Sequence, residues 1–176
     1  MATYHPCITD EQAALIRGAA MFFVASAHPQ LETGVNEVGP VNVSPKGGVP
    51  LHILSPNRVA YLDYRGSGNE TARHCKAGGP ITVMVCSFDE DAAIVRLFGT
   101  ARATPLEDSP LAQVLLEHPA KELKGSARQV IEVEVDKTMT SCGYGVPVMS
   151  LERQRRPADR GRRYKDGNAA RVPVST

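Results

Sequence analysis

The sequence predicts a mainly β fold: an antiparallel barrel, closed or nearly closed, accompanied by a few short helices. Three observations predict it. About seven runs rich in β-branched and other apolar residues recur along the chain, separated by Gly, Pro, Asn and Asp. The helical stretches between them are few and short, whereas a doubly wound parallel sheet needs strands alternating regularly with long crossover helices. Two of the gaps, Pro56-Asn57 and Asp89-Glu90-Asp91, read as hairpin turns and so favour antiparallel neighbours. Many strands leave exposed edges, and wrapping the sheet into a barrel removes them.

Taken in chain order, Thr9-Asp10-Glu11-Gln12 has the spacing of a capping box and leads into a short helix that Gly18 closes. Strand runs follow at residues 21–27, 41–44, 51–54 and 59–63. Gly66-Ser67-Gly68-Asn69-Glu70-Thr71 then opens a second helix, with Ser67 and Glu70 at capping-box spacing and Gly78-Gly79-Pro80 as the stop. Further strands are expected at 81–88 and 94–104. A helix from about Ser109 to His118 follows from Leu111, Val114, Leu115 and His118 at helical spacing, with Pro119 just beyond. The last strand, 129–140, is the cleanest: Val130, Glu132, Glu134 and Asp136 alternate with Ile131, Val133 and Val135, as a half-solvated antiparallel strand requires.

A chain of 176 residues can bury a proper core as one domain without disulfides or structural metal. The expected organisation is a folded domain over 1–150 and a basic tail over 151–176, where Arg153, Arg155, Arg156, Arg160, Arg162, Arg163, Lys165 and Arg171 crowd together. That tail reads as a poorly ordered extension or an arm laid on an acidic partner. Overall, 20 Lys and Arg balance 19 Asp and Glu, which gives no reason to propose nucleic acid or membrane as the main partner. Cys7, Cys75, Cys86 and Cys142 are too scattered for a metal site or a disulfide framework, and read as free thiols of a reducing cytosol. The five histidines lack ligand spacing, so no metal is expected. No run reaches membrane-spanning length and the start lacks the order of a secretory signal, so a cytoplasmic protein is expected.

Three constellations carry candidate chemistry. The turn Gly66 to Thr71 suits a phosphate: free N–H groups at a helix start favour a dianion, and Gly68 lets the backbone approach it. Most capping boxes simply start helices, so both readings stand. Val41-Asn42-Val43-Ser44-Pro45-Lys46-Gly47-Gly48 reads as a strand ending in a proline turn, from which Lys46 could reach the same phosphate. Taken alone, such a lysine is also an ordinary exposed turn residue. In Arg96-Leu97-Phe98-Gly99-Thr100-Ala101-Arg102, the two arginines share a strand face, pointing either to a ligand or to solvent.

These segments, in order and with Arg58-Val59-Ala60-Tyr61-Leu62-Asp63 before the glycine turn and Ser141-Cys142-Gly143-Tyr144-Gly145-Val146-Pro147 near the end, resemble the FMN-binding split barrels related to pyridoxamine 5′-phosphate oxidase. The resemblance covers roughly residues 21–149 and is nearest to the shorter, functionally diverse members. It implies a six-stranded, Greek-key-type split β-barrel with flanking helices, a homodimer, and FMN at the subunit interface. It also implies cofactor-binding roles for Val43, Ser44, Lys46, Asp63, Ser67, Gly68, Asn69, Thr71, Arg96 and Tyr144. Lys46 and the Ser67, Asn69 and Thr71 turn would hold the phosphate; Val43 and Ser44 would run beside the flavin ring; Arg96 would contact the flavin. Tyr144, flanked by glycines, would stack on the ring or bond a substrate, or would merely pack.

The chain departs from the pyridoxamine 5′-phosphate oxidases proper. Their C-terminal segment carries tryptophan, arginine and histidine, whereas this chain has no tryptophan and its arginine-rich end has no histidine. Pyridoxamine phosphate is therefore not the expected substrate. Two functions remain: an FMN-dependent oxidoreductase acting on a small molecule, and a carrier that holds flavin, deazaflavin or haem on the same barrel without turnover. Neither reading names a catalytic acid or base.

Overall fold

Strand alternation and turn chemistry produce one antiparallel sheet that curls back on itself. The computed structural model describes residues 2–34, 39–66, 68–117 and 126–155. Its strands are β1 (Thr3–His5), β2 (Met21–Ala27), β3 (Val41–Gly47), β4 (His52–Ser55), β5 (Arg58–Tyr64), β6 (Pro80–Cys86), β7 (Ile94–Pro105) and β8 (Ala127–Ser141). They are joined by α1 (Asp10–Gly18), α2 (Glu70–Lys76) and α3 (Ala112–Leu115). The sheet order is β3-β2-β6-β7-β8-β5-β4, with β1 added beside β8, and every pairing is antiparallel. β6, β7 and β8 form a meander, while β5 returns beside β8 and β2 lies beside β6. The fold is the mainly β split barrel that the sequence predicts.

Curvature brings distant strands together. Phe22 of β2 meets Tyr61 of β5 edge to face with ring centroids 5.2 Å apart, although neither strand hydrogen-bonds the other. Around that contact Val24, Val59, Tyr61, Val83, Val85, Leu97, Ile131 and Val133 are fully buried and form the core. α1 starts from the Thr9 and Gln12 capping box, and the Gln12 side chain also donates to Thr140 Oγ1 at 2.9 Å. α2 packs on β2 and β7 and ends at Gly78, whose φ of +78° suits glycine, as the stop signal predicts.

Four local expectations are corrected. β3 does not end at Ser44 in a proline turn; it continues through Lys46 to Gly47, because Pro45 lies on an edge strand where a missing N–H costs no ladder bond. The N-cap of α2 is Asn69, not Ser67, and Asn69 makes no side-chain cap, so Glu70 is the first helical residue and the capping box expected from Ser67 does not open this helix. Ser67 itself lies outside the described residues. The helix expected over 109–118 shrinks to the four residues of α3, preceded by a tight turn at Leu106–Asp108, with Leu115 as its buried anchor; His118 is outside the described residues. In β8 the alternation breaks where Lys137 pairs with Phe98 but Val135 pairs with Gly99, a bulge at Asp136 that turns Thr138 inward. Val130, expected among the solvated positions, is buried.

Candidate functional site

The inner face of β3 begins the site. Its register sets Asn42 opposite Ser26, Ser44 opposite Val24 and Lys46 opposite Phe22, so these three polar residues share the face that β2 turns toward the interior. Val41 and Val43 point the other way and are exposed. Across the curl, β5 carries Asp63 near its end. Lys46 Nζ lies 2.9 Å from Asp63 Oδ1 and 5.8 Å from the centre of the Tyr61 ring. The salt bridge therefore ties the edge strand β3 to β5, a strand it does not pair with in the sheet.

Asp63 is a hub. Its Oδ2 accepts from Arg128 Nε at 2.9 Å and from Gln129 Nε2 at 2.7 Å, both on β8. Arg128 also donates to the Gly68 carbonyl at 2.8 Å, and Gln129 to Asn69 Oδ1 at 2.9 Å. The turn before α2 is thus held by the same residues that hold the carboxylate. Burial raises the Asp63 pKa, but the Lys46 charge and the bonds from Gln129, Lys46 and Arg128 outweigh it, and the carboxyl titrates below its ordinary range.

Between these elements lies a cleft of about 370 Å³, within the range of small-molecule sites. Asn42, Ser44, Lys46, Asp63, Tyr64, Gly68, Asn69, Thr71 and Arg128 line it. Among the described residues, the buried hydroxyls of Ser44 and Tyr64, both residues of the cleft lining, have no hydrogen-bond partner. Buried polar groups are nearly always paired, and these two exceptions belong to residues that line the cleft with the cations Lys46 and Arg128. Lys46 and Arg128 share the Asp63 carboxylate, and Glu70, which also lines the cleft, lies 3.9 Å from Arg73.

Of the residues singled out from sequence, Ser44, Lys46, Asp63, Gly68, Asn69 and Thr71 converge on this cleft. Val43, Arg96 and Tyr144 do not line it. Val43 is 65% exposed on the outer face of β3; Arg96 donates to Ser141 Oγ at 3.1 Å; Tyr144 is 89% exposed. Arg96 and Arg102 do share a face of β7, and Arg102 pairs with Glu132 at 3.2 Å. Sequence reasoning missed Asn42, Tyr64, Arg128 and Gln129. Asn42 had a usable signal, its alternation with Ser44 and Lys46; Arg128 and Gln129 had none, being distant in sequence from everything they touch. Among the described residues, no cluster of His, Cys, Asp or Glu is placed to hold a metal, and no helix is long and apolar enough to cross a membrane. The four cysteines are free.

A curated relative, the pyridoxamine 5′-phosphate oxidase family protein ustO of Aspergillus flavus, is 43% identical over 113 residues, 63% of this chain and 45% of the relative. Over those residues the chain is similar in sequence to that pyridoxamine 5′-phosphate oxidase family protein. It spans about half the length of that relative. No protein-family model matches it. Solved members of the same fold include a candidate pyridoxamine 5′-phosphate oxidase from Lactobacillus delbrueckii, 20% identical with a TM-score of 0.55 over 76% of this chain and 94% of that one. HupZ from Group A Streptococcus, 19% identical, gives 0.56 over 74% of this chain and 91% of that one. These pyridoxamine 5′-phosphate oxidase-like neighbours establish the split barrel; the residues that line its cleft here are this chain's own.

Proposed function

We propose that the protein binds FMN, with the phosphate in the cleft between β3, β5 and the turn before α2, and uses it as an oxidoreductase acting on a small molecule. The observation that carries this reading is the convergence of Lys46 and Arg128 with Gly68, Asn69 and Thr71 of the turn before α2 on one cleft. A phosphate monoester dianion supplies acceptor oxygens and negative charge for the Lys46 ammonium and the Arg128 guanidinium. Similarity to a pyridoxamine 5′-phosphate oxidase family protein supports a flavin in particular.

The residues divide the work. Lys46 and Arg128 hold the phosphate charge, while Ser44, Asn69 and Thr71 offer shorter polar contacts. Asp63 is a poor phosphate ligand because like charges repel; it fixes Lys46, Arg128 and Gln129 in place, and Arg128 fixes the Gly68 carbonyl so that the turn keeps its shape. Bound there, FMN would supply hydride or electron transfer at its isoalloxazine ring. A second copy of the chain completes the site in this reading, its docking favoured by the exposed Val41 and Val43 on the outer face of β3.

The decisive experiment is an absorbance spectrum of purified protein, before and after added FMN and a reductant. A yellow protein that bleaches on reduction is expected; a colourless protein that takes up no added FMN overturns the reading. One observation favours a second reading, a carrier without turnover: Asp63, the carboxylate at the cleft floor, is fully engaged by Lys46, Arg128 and Gln129 and has no proton to exchange. Net consumption of a reduced substrate under steady state separates enzyme from carrier.

A further inference from the structure

Behind the cleft runs a chain of polar groups that the phosphate reading does not use. Thr71 of α2 lines the cleft, and its Oγ1 accepts from Asn42 Nδ2 at 3.2 Å. On its other side lies the Ser26 hydroxyl of β2, at a long 3.5 Å, and Ser26 Oγ is 2.9 Å from Nδ1 of His74, one turn further along α2. Ser26 and His74 are 3% and 1% exposed, so the relay is interior, reaching the cleft at Thr71 and Asn42 while His74 at its far end borders a second cavity with His28 and Arg73.

Such a relay has two polarities. With the proton of the imidazole on Nδ1, His74 donates to Ser26, Ser26 to Thr71, and the Thr71 hydroxyl, already accepting twice, has its own proton left for the cleft. With the proton on Nε2, the order reverses: Thr71 spends its proton on Ser26 and shows the cleft only a lone pair. The surroundings of the ring choose between them. Among the described residues, His74 Nε2 is buried without a hydrogen-bond partner. An orphaned N–H is rarer in protein interiors than an under-satisfied acceptor, so the proton belongs on Nδ1, where Ser26 can receive it. Burial, and next the nearby His28, hold the ring below the ordinary histidine range, so one proton is the case that matters near neutral pH.

We propose that His74 is a positioning residue which, through Ser26, aims the Thr71 hydroxyl into the cleft as a donor to an anionic oxygen of a phosphate monoester. The proposal rests on the cleft being the phosphate seat proposed above and deepens that reading by explaining what selects a dianion there: a donor held outward favours an oxygen with no proton of its own. His74 touches no ligand. Its effect passes entirely through two hydroxyls.

The test is a double-mutant cycle on FMN affinity, read by quenching of flavin fluorescence, with Ser26→Ala, Thr71→Val and the pair. Ser26→Ala is expected to weaken binding about fivefold in the parent, the value of one neutral hydrogen bond, and to have no effect once Thr71 is valine. His74→Asn, whose amide nitrogen stands where Nδ1 was, should restore most of what His74→Phe loses. Nitrogen NMR of the FMN-bound protein should find His74 protonated at Nδ1. An equal effect of Ser26→Ala in both backgrounds would make Ser26 merely structural, and a proton on Nε2 would reverse the relay; either result overturns the proposal. If the parent binds no FMN, the flavin reading falls alone, and the same cycle is read with inorganic phosphate; failure of phosphate to bind as well removes the ligand on which His74 acts and overturns both.

Discussion

Lys46 shows how a single side chain changes meaning with its surroundings. On sequence it stands in a proline turn; in the fold it points inward from a strand, paired to Asp63 at 2.9 Å and close to Arg128 through the shared carboxylate. Replacing it with alanine is expected to weaken FMN binding by about 1.5 to 3 kcal/mol, the range of a charge-assisted bond, measured by fluorescence titration. Equal affinity in mutant and parent would assign Lys46 to the salt bridge alone. Asp63 permits a prediction with a sign. Its carboxyl titrates below the ordinary value of 3.8, so an unfolded chain takes up the proton first as pH falls. Its contribution to stability is therefore complete above the unfolded value and is lost as pH drops through the lower folded one. Asp63→Asn leaves Lys46 and Arg128 facing each other and should cost about 3 kcal/mol near neutrality, with the gap to the parent closing below about pH 4. Urea unfolding at pH 7, 5 and 3.5 measures it, and a gap constant across that range would show that the charge of Asp63 contributes nothing.

At the scale of elements, the sheet depends on close backbone approaches such as the one at Gly99. A Cβ on Gly99 would lie 1.8 Å from the Glu134 carbonyl oxygen, and backbone cannot step aside as a flexible side chain can. Gly99 sits beside the bulge at Asp136, where β8 switches which of its faces is buried. Gly99→Ala should destabilise by about 3 kcal/mol, seen as a lower urea midpoint at unchanged slope. α2 matters to the site through its flank: Thr71 and His74, three residues apart, face Ser26 of β2. Its seven residues are positioned by β2, β7 and the Gln129 bond to Asn69, and the absent cap at Asn69 shows that local sequence alone does not anchor its start.

For the whole molecule, the proposal of a flavin site completed by a second copy predicts a mass in solution about twice 18.9 kDa, with loss of FMN whenever dilution or an interface substitution such as Val43→Lys produces monomers. A monomer that keeps full FMN affinity would place the entire site within one chain. From Arg156 onward the arginine-rich tail lies outside the described residues, and its expected contact with an acidic partner is tested by whether removing it changes salt-sensitive binding. The sequence by itself determined the strands, because alternation and turn residues act over a few positions: the runs at 21–27, 94–104 and 129–140 match β2, β7 and β8 nearly end to end. It also pointed to six residues that line the cleft, Lys46, Gly68, Asn69 and Thr71 through their turn patterns and Ser44 and Asp63 through the family resemblance. Only the tertiary structure decided that Asp63 is gripped by Arg128 and Gln129 from a strand more than sixty residues away, and that Ser26 links His74 to Thr71. Those contacts arise when the sheet curls and a helix closes over it, and no local pattern records which side chains that curvature brings together.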